Sequence, residues 1–244
     1  MLDNIAIKVD NVSMLFNMPK ERVDNLIEFF IKMVRKQLKF DKFYALQGVS
    51  LEIKKGEVVG LIGLNGSGKS TLLKVISGIL NPTTGSAEID GIISPLIELG
   101  AGFDFELTTR ENIFLNGSVL GFDRNFMKEK YDEILDFAEL RDFENVAIKN
   151  FSSGMVARLG FAIATLVKPD ILIVDEILAV GDFRFQQKCE RRIVEMMAGG
   201  TTVIIVSHSI DQIERLCSRV IWLEKGKILM SGPTEEVCSK YKQS

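Results

Sequence analysis

An α/β fold built on a parallel sheet is predicted by three stretches of the 244-residue chain. The apolar run Val58-Val59-Gly60-Leu61-Ile62 leads into Gly63-Leu64-Asn65-Gly66-Ser67-Gly68-Lys69-Ser70-Thr71 and then Leu72-Leu73-Lys74-Val75-Ile76, a strand, a glycine-rich loop and a helix. Residues 171–174 and 202–207 are short and fully apolar, as strands are when a parallel sheet is covered on both faces. Between these sheet-forming pieces, from about residue 107 to 166, the pattern turns helical: Tyr131, Ile134, Leu135 and Ala138 recur three or four apart with charges between them.

The remaining elements follow in order. Residues 4–16 read as a strand, with Ile5, Ile7 and Val9 alternating, and residues 46–53 read as another. Lys54-Lys55-Gly56-Glu57 is the turn before the glycine-loop strand. Asn81-Pro82-Thr83-Thr84-Gly85 is a loop, and extended structure resumes over 86–90. Lys225-Gly226-Lys227 reads as a hairpin turn. Neither an internal repeat nor a low-complexity linker interrupts the chain.

Composition narrows the class. With 46% apolar residues the chain is expected to be globular, and its formal net charge of −3 gives no electrostatic case for nucleic acid as the main ligand. No apolar run approaches the roughly 18–20 residues that span a bilayer, and Met1-Leu2-Asp3-Asn4 lacks the basic and apolar regions of a secretory signal. Cys189, Cys217 and Cys238 are scattered, odd in number and without metal-ligand spacing, so reduced thiols are expected. Contact with a membrane is therefore expected only through a partner or an interfacial segment.

The glycine loop carries the chemistry. Gly63, Gly66 and Gly68 let the backbone curl so that the N–H groups of Leu64, Asn65, Ser67 and their neighbours form an anion nest at the positive end of the next helix. Lys69 reaches the β- and γ-phosphates, Ser70 is placed to ligate Mg²⁺, and Thr71 completes the nucleotide-binding stretch; it predicts a nucleoside triphosphate site. A second element is Ile171-Leu172-Ile173-Val174-Asp175-Glu176, where two carboxylates emerge at the C-terminal end of a buried strand, the end at which ligands sit in open α/β sheets. Asp175 suits Mg²⁺, and Glu176, facing another way, suits orienting or deprotonating the attacking water. A third is Asn150-Phe151-Ser152-Ser153-Gly154-Met155, where Ser152, Ser153 and Gly154 at a helix start offer a hydroxyl and N–H groups. One fold does not easily direct two such anion sites at one γ-phosphate, so the second is expected to serve the nucleotide of a partner subunit. His208, the sole histidine, closes the strand at 203–207 and suits a hydrogen bond to the γ-phosphate.

Together these residues resemble the nucleotide-binding subunit of an ATP-binding cassette (ABC) protein over essentially the whole chain. Residues 63–71 match the Walker A motif, 171–176 the Walker B strand with its catalytic glutamate, and 152–154 the family signature; Ala179-Val180-Gly181-Asp182 sits where the D-loop belongs and His208 at the switch histidine. The resemblance implies a P-loop NTPase fold of the ABC ATPase type, with a RecA-like core, a small antiparallel β-subdomain and a helical signature subdomain at about 105–166. It implies ATP and Mg²⁺ as ligands, with Glu176 and His208 catalytic and Asp182 among the nucleotide-binding residues. It further implies a homodimer sandwiching two ATPs, seated on two copies of a polytopic membrane permease at the cytoplasmic face of the cell membrane. Two departures stand out. Phe151, Ser153 and Met155 differ from the usual Leu-Ser-Gly-Gly-Gln, and Glu98 is the nearest counterpart of the glutamine the family places between Walker A and the helical insertion. A carboxylate beside a triphosphate is repulsive unless a metal or proton offsets it, which leaves the role of Glu98 open.

Glu98-Leu99-Gly100-Ala101-Gly102-Phe103, with Glu106-Leu107-Thr108 and Arg110-Glu111-Asn112-Ile113, resembles the branch of polysaccharide exporters that move lipid-linked O-antigen, capsule or teichoic acid. The same branch carries an amphipathic helix where this chain has residues 17–44. There Val23, Leu26, Ile27, Phe30, Met33, Val34 and Leu38 recur at helical spacing, and Lys32, Arg35, Lys36, Lys39 and Lys42 crowd the C-terminal half. Burying each large apolar side chain is worth about 1.5–3 kcal/mol, so the stripe must be covered. Two coverings fit: packing on its own domain, or lying against the membrane subunit and anionic headgroups. Adenine is expected to stack on Phe16 or Tyr44. Rival readings are an ABC exporter ATPase for a drug, lipid or peptide, a non-transport ABC ATPase, and a small-molecule kinase.

Overall fold

The computed structural model describes residues 4–19, 40–96, 100, 102–175, 181–207 and 209–243. In chain order the elements are β1 (Ile5–Pro19), β2 (Phe40–Lys54), β3 (Val58–Ile62), α1 (Lys69–Ile76), β4 (Thr84–Ile89), β5 (Ile93–Leu96), α2 (Thr109–Val119) and α3 (Arg124–Ala138). They continue with α4 (Ser153–Ala164), β6 (Ile171–Asp175), α5 (Phe183–Ala198), β7 (Thr202–Val206), α6 (Ile210–Leu216), β8 (Arg219–Glu224), β9 (Lys227–Pro233) and α7 (Thr234–Tyr241). The chain divides into two compact units, Met1–Lys54 with Gly60–Asp90 and Ser218–Ser244, and Lys55–Val59 with Gly91–Cys217.

In the first unit β1 lies between β2 and β4 in an antiparallel sheet. The period of two expected of a half-buried strand is plain: Ile7 and Val9 are buried while Asp10 faces solvent. Register shifts on either side of Val12 follow Asn11, whose φ is 47°, and the bulge is held by Asn11 N–H donating to Ser50 Oγ at 2.9 Å and Gly48 N–H donating to Ser13 Oγ at 2.9 Å. The end of β3 lies beside β8, which turns at Lys225 and Gly226, both at positive φ, into antiparallel β9. Helix α1 buries Leu72, Leu73, Val75 and Ile76.

In the second unit β5, β6 and β7 are parallel neighbours, with Ile93 opposite Ile171 and Ile171 opposite Thr202. The start of β3 joins beside β7, where Val203 N–H donates to the Glu57 carbonyl at 2.9 Å. Helices α2, α3 and α4 enclose a core that includes Ile113, Met127, Ile134, Leu135, Leu159 and Ile163. Each is capped from the sequence: Thr108 and Glu111 form a reciprocal capping box on α2, Asp123 caps α3 and Ser152 caps α4.

The helical reading of residues 17–44 is corrected at both ends. Asn17, Met18 and Pro19 continue β1 and pair with Lys42, Asp41 and Phe40 of β2. The ladder extends because each further pair satisfies backbone groups of both strands, and Pro19, which has no N–H to give, falls on its last rung. Residues 20–39, which carry most of the predicted amphipathic stripe, lie outside the described residues. The predicted loop 81–85 likewise gives up Thr84 and Gly85 to β4, and β5, short and containing Pro95, is an additional strand. The three cysteines are reduced and buried, and no helix of the described residues is long and apolar enough to cross a membrane.

Candidate functional site

In the first unit, β3 delivers the chain into residues 63–68, and α1 begins at Lys69 with Gly68 as its cap. Two glycines are required by what surrounds them. Gly63 has φ 148°, and a Cβ there would sit 2.1 Å from the Leu223 carbonyl oxygen; Gly68 has φ 107°, and its Cβ would sit 2.5 Å from the Ala45 carbonyl oxygen. The loop is thus pressed against β8 and the start of the buried part of β2. The β8–β9 turn braces it from the same side: Gly226 N–H donates to the Ser67 carbonyl at 2.9 Å, and Gln47 N–H donates to the Gly226 carbonyl at 2.8 Å.

Lys69 folds back over the loop, its Nζ donating to the Gly63 carbonyl at 2.7 Å and the Leu64 carbonyl at 3.1 Å. Leu64, Asn65, Gly66 and Ser70 are exposed, Thr71 half-buried. Ser67 is 4% exposed, and its Oγ is the one buried side-chain polar atom without a hydrogen-bond partner among the described residues. A loop with an unsatisfied buried hydroxyl, open space at Gly66 and a helix N-terminus beyond it fits an oxyanion. Ser70, one residue into α1, offers a hydroxyl oxygen of the hard type that Mg²⁺ takes.

The second unit holds the other predicted elements. Asp175 is the last residue of β6, opposite Val206 of β7, so the acidic end of the strand is the C-terminal end of the parallel sheet. Glu176 and His208 lie outside the described residues, as do Glu98 and residues 179–180. Ser152 is the N-cap of α4, its Oγ accepting from Met155 N–H at 3.2 Å, with Ser152 and Ser153 exposed and Gly154 half-buried. A Cβ on Gly154 would meet only Ser152 Oγ, at 3.8 Å.

Asp182 caps α5, its Oδ1 accepting from Phe185 N–H at 3.0 Å. Its Oδ2 takes Arg158 Nη2 at 2.6 Å, while Arg158 Nη1 reaches Glu139 Oε2 at 2.8 Å. The Phe185 amide and then the Arg158 guanidinium hold the Asp182 carboxyl below the usual carboxylate range. Arg158, largely buried and 4.8 Å above the Phe185 ring, therefore ties the C-cap of α3 and the N-cap of α5 to the helix that Ser152 opens. Sequence reasoning missed it, although Arg158 is the only charged residue of α4, and a lone charge on an apolar helix needs a partner.

The two adenine candidates fall on different faces. Opposed residues of an antiparallel pair share a face, so Phe16 lies with Phe43 and Tyr44 with Leu15, and only one of the two faces can meet a base.

The ABC transporter family profile matches residues 46–179. Over 216 residues, 88% of each chain, the protein is 44% identical to the O-antigen export system ATP-binding protein RfbB of Klebsiella pneumoniae. It is 41% identical over 243 residues, its whole length, to the teichoic acids export ATP-binding protein TagH of Lactiplantibacillus plantarum, of which it spans 66%. Among solved structures, the ATP-binding subunit of an ABC transporter superposes with a TM-score of 0.76 at 22% identity, covering 97% of this chain and 93% of that one. A dimeric bacterial ABC transporter cassette superposes with 0.73 at 25% identity, covering 93% and 98%. The fold is that of an ABC ATPase, with the α/β architecture the glycine loop predicted. The chain belongs to the ABC transporter family, as an ATP-binding, ATP-hydrolysing cassette.

Proposed function

We propose that this ATPase drives export of a lipid-linked polysaccharide, of the O-antigen or teichoic acid kind, from the cytoplasmic face of the cell membrane. The observation that carries the reading is the run of relatives at 41–44% identity over 88–100% of the chain that bear O-antigen and teichoic acid export names. The ATPase works as a homodimer on two copies of a polytopic permease, each ATP held by the loop at Lys69 of one copy and by Ser152, Ser153 and Gly154 of the other. Gly154 supports this: among the described residues only Ser152 Oγ, at the ordinary contact distance of 3.8 Å, stands near where its Cβ would go, so there is room at the helix start for a group from outside. A capped helix end with exposed serines is also a ready anion site.

In this reading Lys69 leaves the loop carbonyls for the phosphates, and Glu176 takes the proton of the attacking water while His208 donates to the γ-phosphate. Ser70 and Asp175, a hydroxyl and a carboxylate, would hold Mg²⁺, which supplies neutralisation of phosphate charge. Asp182, already engaged by Arg158, positions the segment before α5. Residues 20–39 meet the permease and its lipids. The rival exporter of a drug or peptide shares each of these residues and differs in cargo.

The test is Glu176→Gln, made in the cell that uses the protein and in purified chain. Surface display of lipid-linked glycan should stop while glycan accumulates inside, and the purified variant should sediment as a dimer with ATP and a monomer without. Normal glycan display overturns the cargo; an ATP-loaded variant that stays monomeric beside its permease overturns the shared site.

A further inference from the structure

A cavity of about 570 Å³ opens between α2 and α3, lined by Arg110, Glu111, Phe114, Arg124, Lys128 and Tyr131. Its floor is aromatic and fixed. Phe114 stacks on Tyr131 with centroids 5.9 Å apart, and the Arg110 guanidinium lies 5.1 Å from the centre of the same ring. Arg110 Nε donates to the Tyr131 hydroxyl at 3.3 Å, and the hydroxyl donates to Glu144 Oε2 at 2.9 Å, so the guanidinium is aimed with its remaining donors unspent. Arg124 and Lys128, one helical turn apart on α3, supply two more cations on the opposite wall.

The rim is rich in positive charge. Lys130, Arg141, Lys149, Arg158, Lys188 and Arg192 each reach a carboxylate. Among the described residues Arg110, Arg124 and Lys128 reach none. The single acid in the lining does not neutralise them: Glu111 Oε2 is turned to its own helix end, accepting from Thr108 N–H at 2.8 Å and Thr108 Oγ1 at 2.7 Å. Among the described residues Arg124 and Lys128 are without a carboxylate partner and Arg110 is coupled only electrostatically to Glu144, which Tyr131 holds, so the concavity gathers positive charge on a chain of net charge −3. The volume is that of a small-molecule site, and two guanidinium forks beside an ammonium suit a multiply charged phosphate better than a single carboxylate.

We propose that the α2–α3 cavity is an anion site for a phosphate group, separate from the ATP site and independent of what the ATPase exports. The phosphate belongs to a free phosphorylated small molecule or to a phospholipid headgroup. The full chain, its ATP site filled with a non-hydrolysable ATP analogue, is titrated calorimetrically with inorganic pyrophosphate and in parallel floated with phosphatidylglycerol or phosphatidylcholine vesicles. The comparison is with Arg124→Ala/Lys128→Ala, which removes two exposed side chains and leaves Tyr131 and the core untouched, and with Arg110→Lys, which keeps the charge and removes the fork.

In one or both arms the double variant should bind about tenfold more weakly, with the ATP analogue bound as before. Loss confined to pyrophosphate assigns a soluble ligand; loss confined to phosphatidylglycerol vesicles assigns the headgroup. The proposal is overturned if wild type and double variant are indistinguishable in both arms. It is equally overturned if the variant is altered only in its association with the permease, which would give the cavity to acidic side chains of that partner.

Discussion

Gly63→Ala puts a number on how tightly the phosphate loop is pressed to β8. An alanine at φ 148° costs about 1–2 kcal/mol as backbone strain alone. Its Cβ would also meet the Leu223 carbonyl oxygen at 2.1 Å and Ser67 Oγ at 2.7 Å. Ordinary contacts begin near 3.4 Å, so the loop must retreat by about 1 Å. Overpacking of that kind costs about 1–3 kcal/mol more. Gly78→Ala is the comparison for a positive-φ glycine without steric pressure, because Gly78 has φ 71° and nothing within 4 Å of its Cβ position. At about 2–4 °C per kcal/mol for a chain of this size, Gly63→Ala should melt roughly 6 °C below Gly78→Ala. The retreat also moves the phosphate-binding N–H groups, and a misplacement of about 1 Å costs about 100-fold, so kcat/KM for ATP should fall by that factor in Gly63→Ala and stay near wild type in Gly78→Ala. Calorimetric melting and steady-state ATPase assays read both. If the two variants melt together and hydrolyse ATP alike, steric pressure from β8 does not shape the loop.

Ser67→Ala removes the buried unpartnered hydroxyl, so the nucleotide-free chain should gain about 1 kcal/mol, seen as a rise of a few degrees in Tm; an unchanged or lowered Tm would show that the hydroxyl is satisfied. Thr108→Ala breaks the capping box of α2 and should cost about 1 kcal/mol at neutral pH by denaturant unfolding. The Thr108 N–H and hydroxyl hold the Glu111 carboxyl below its ordinary value of 4.5, so that contribution is complete above 4.5 and is lost as pH falls through the lower folded value. The gap between wild type and Thr108→Ala should therefore narrow in acid, and a gap that widens would contradict the capping geometry.

What could be read in advance was whatever rests on local chemistry. The glycine spacing at 63–68 is a backbone requirement, and each of its demands can be met only by strand, loop and helix in that order. Ser152 announces its helix start in the sequence, and Thr108, Asp123 and Asp182 cap theirs by the same chemistry, a short side chain accepting from N2 or N3. Strand length was another matter. Residues 17–19 and 40–44 carry no period of their own strong enough to decide between helix and strand; the rung-by-rung pairing of β1 with β2 decides it, and pairing is a property of two segments. The same holds for β5, whose Ile93, Ser94 and Leu96 become a strand by lying beside Ile171, Leu172 and Val174.

The site divides along that line too. In the phosphate loop motif and geometry coincide: Gly63 and Gly68 are demanded by Leu223 and Ala45, and Lys69 bonds the loop's own carbonyls. The helix start at Ser152 is not. Its serine is spent as a cap and its glycine touches nothing that a methyl group would disturb, so neither residue explains the other from within the described chain. What does have an explanation there is rigidity. Arg158, two turns along the same helix, is clamped by Glu139 and Asp182, which fixes how the capped end is presented without using any atom of that end. On the proposed reading, a helix start held this firmly, with its polar groups outward, suits a nucleotide already gripped by the other copy. On that reading, loosening Arg158 lowers ATP-dependent dimerisation as well as stability.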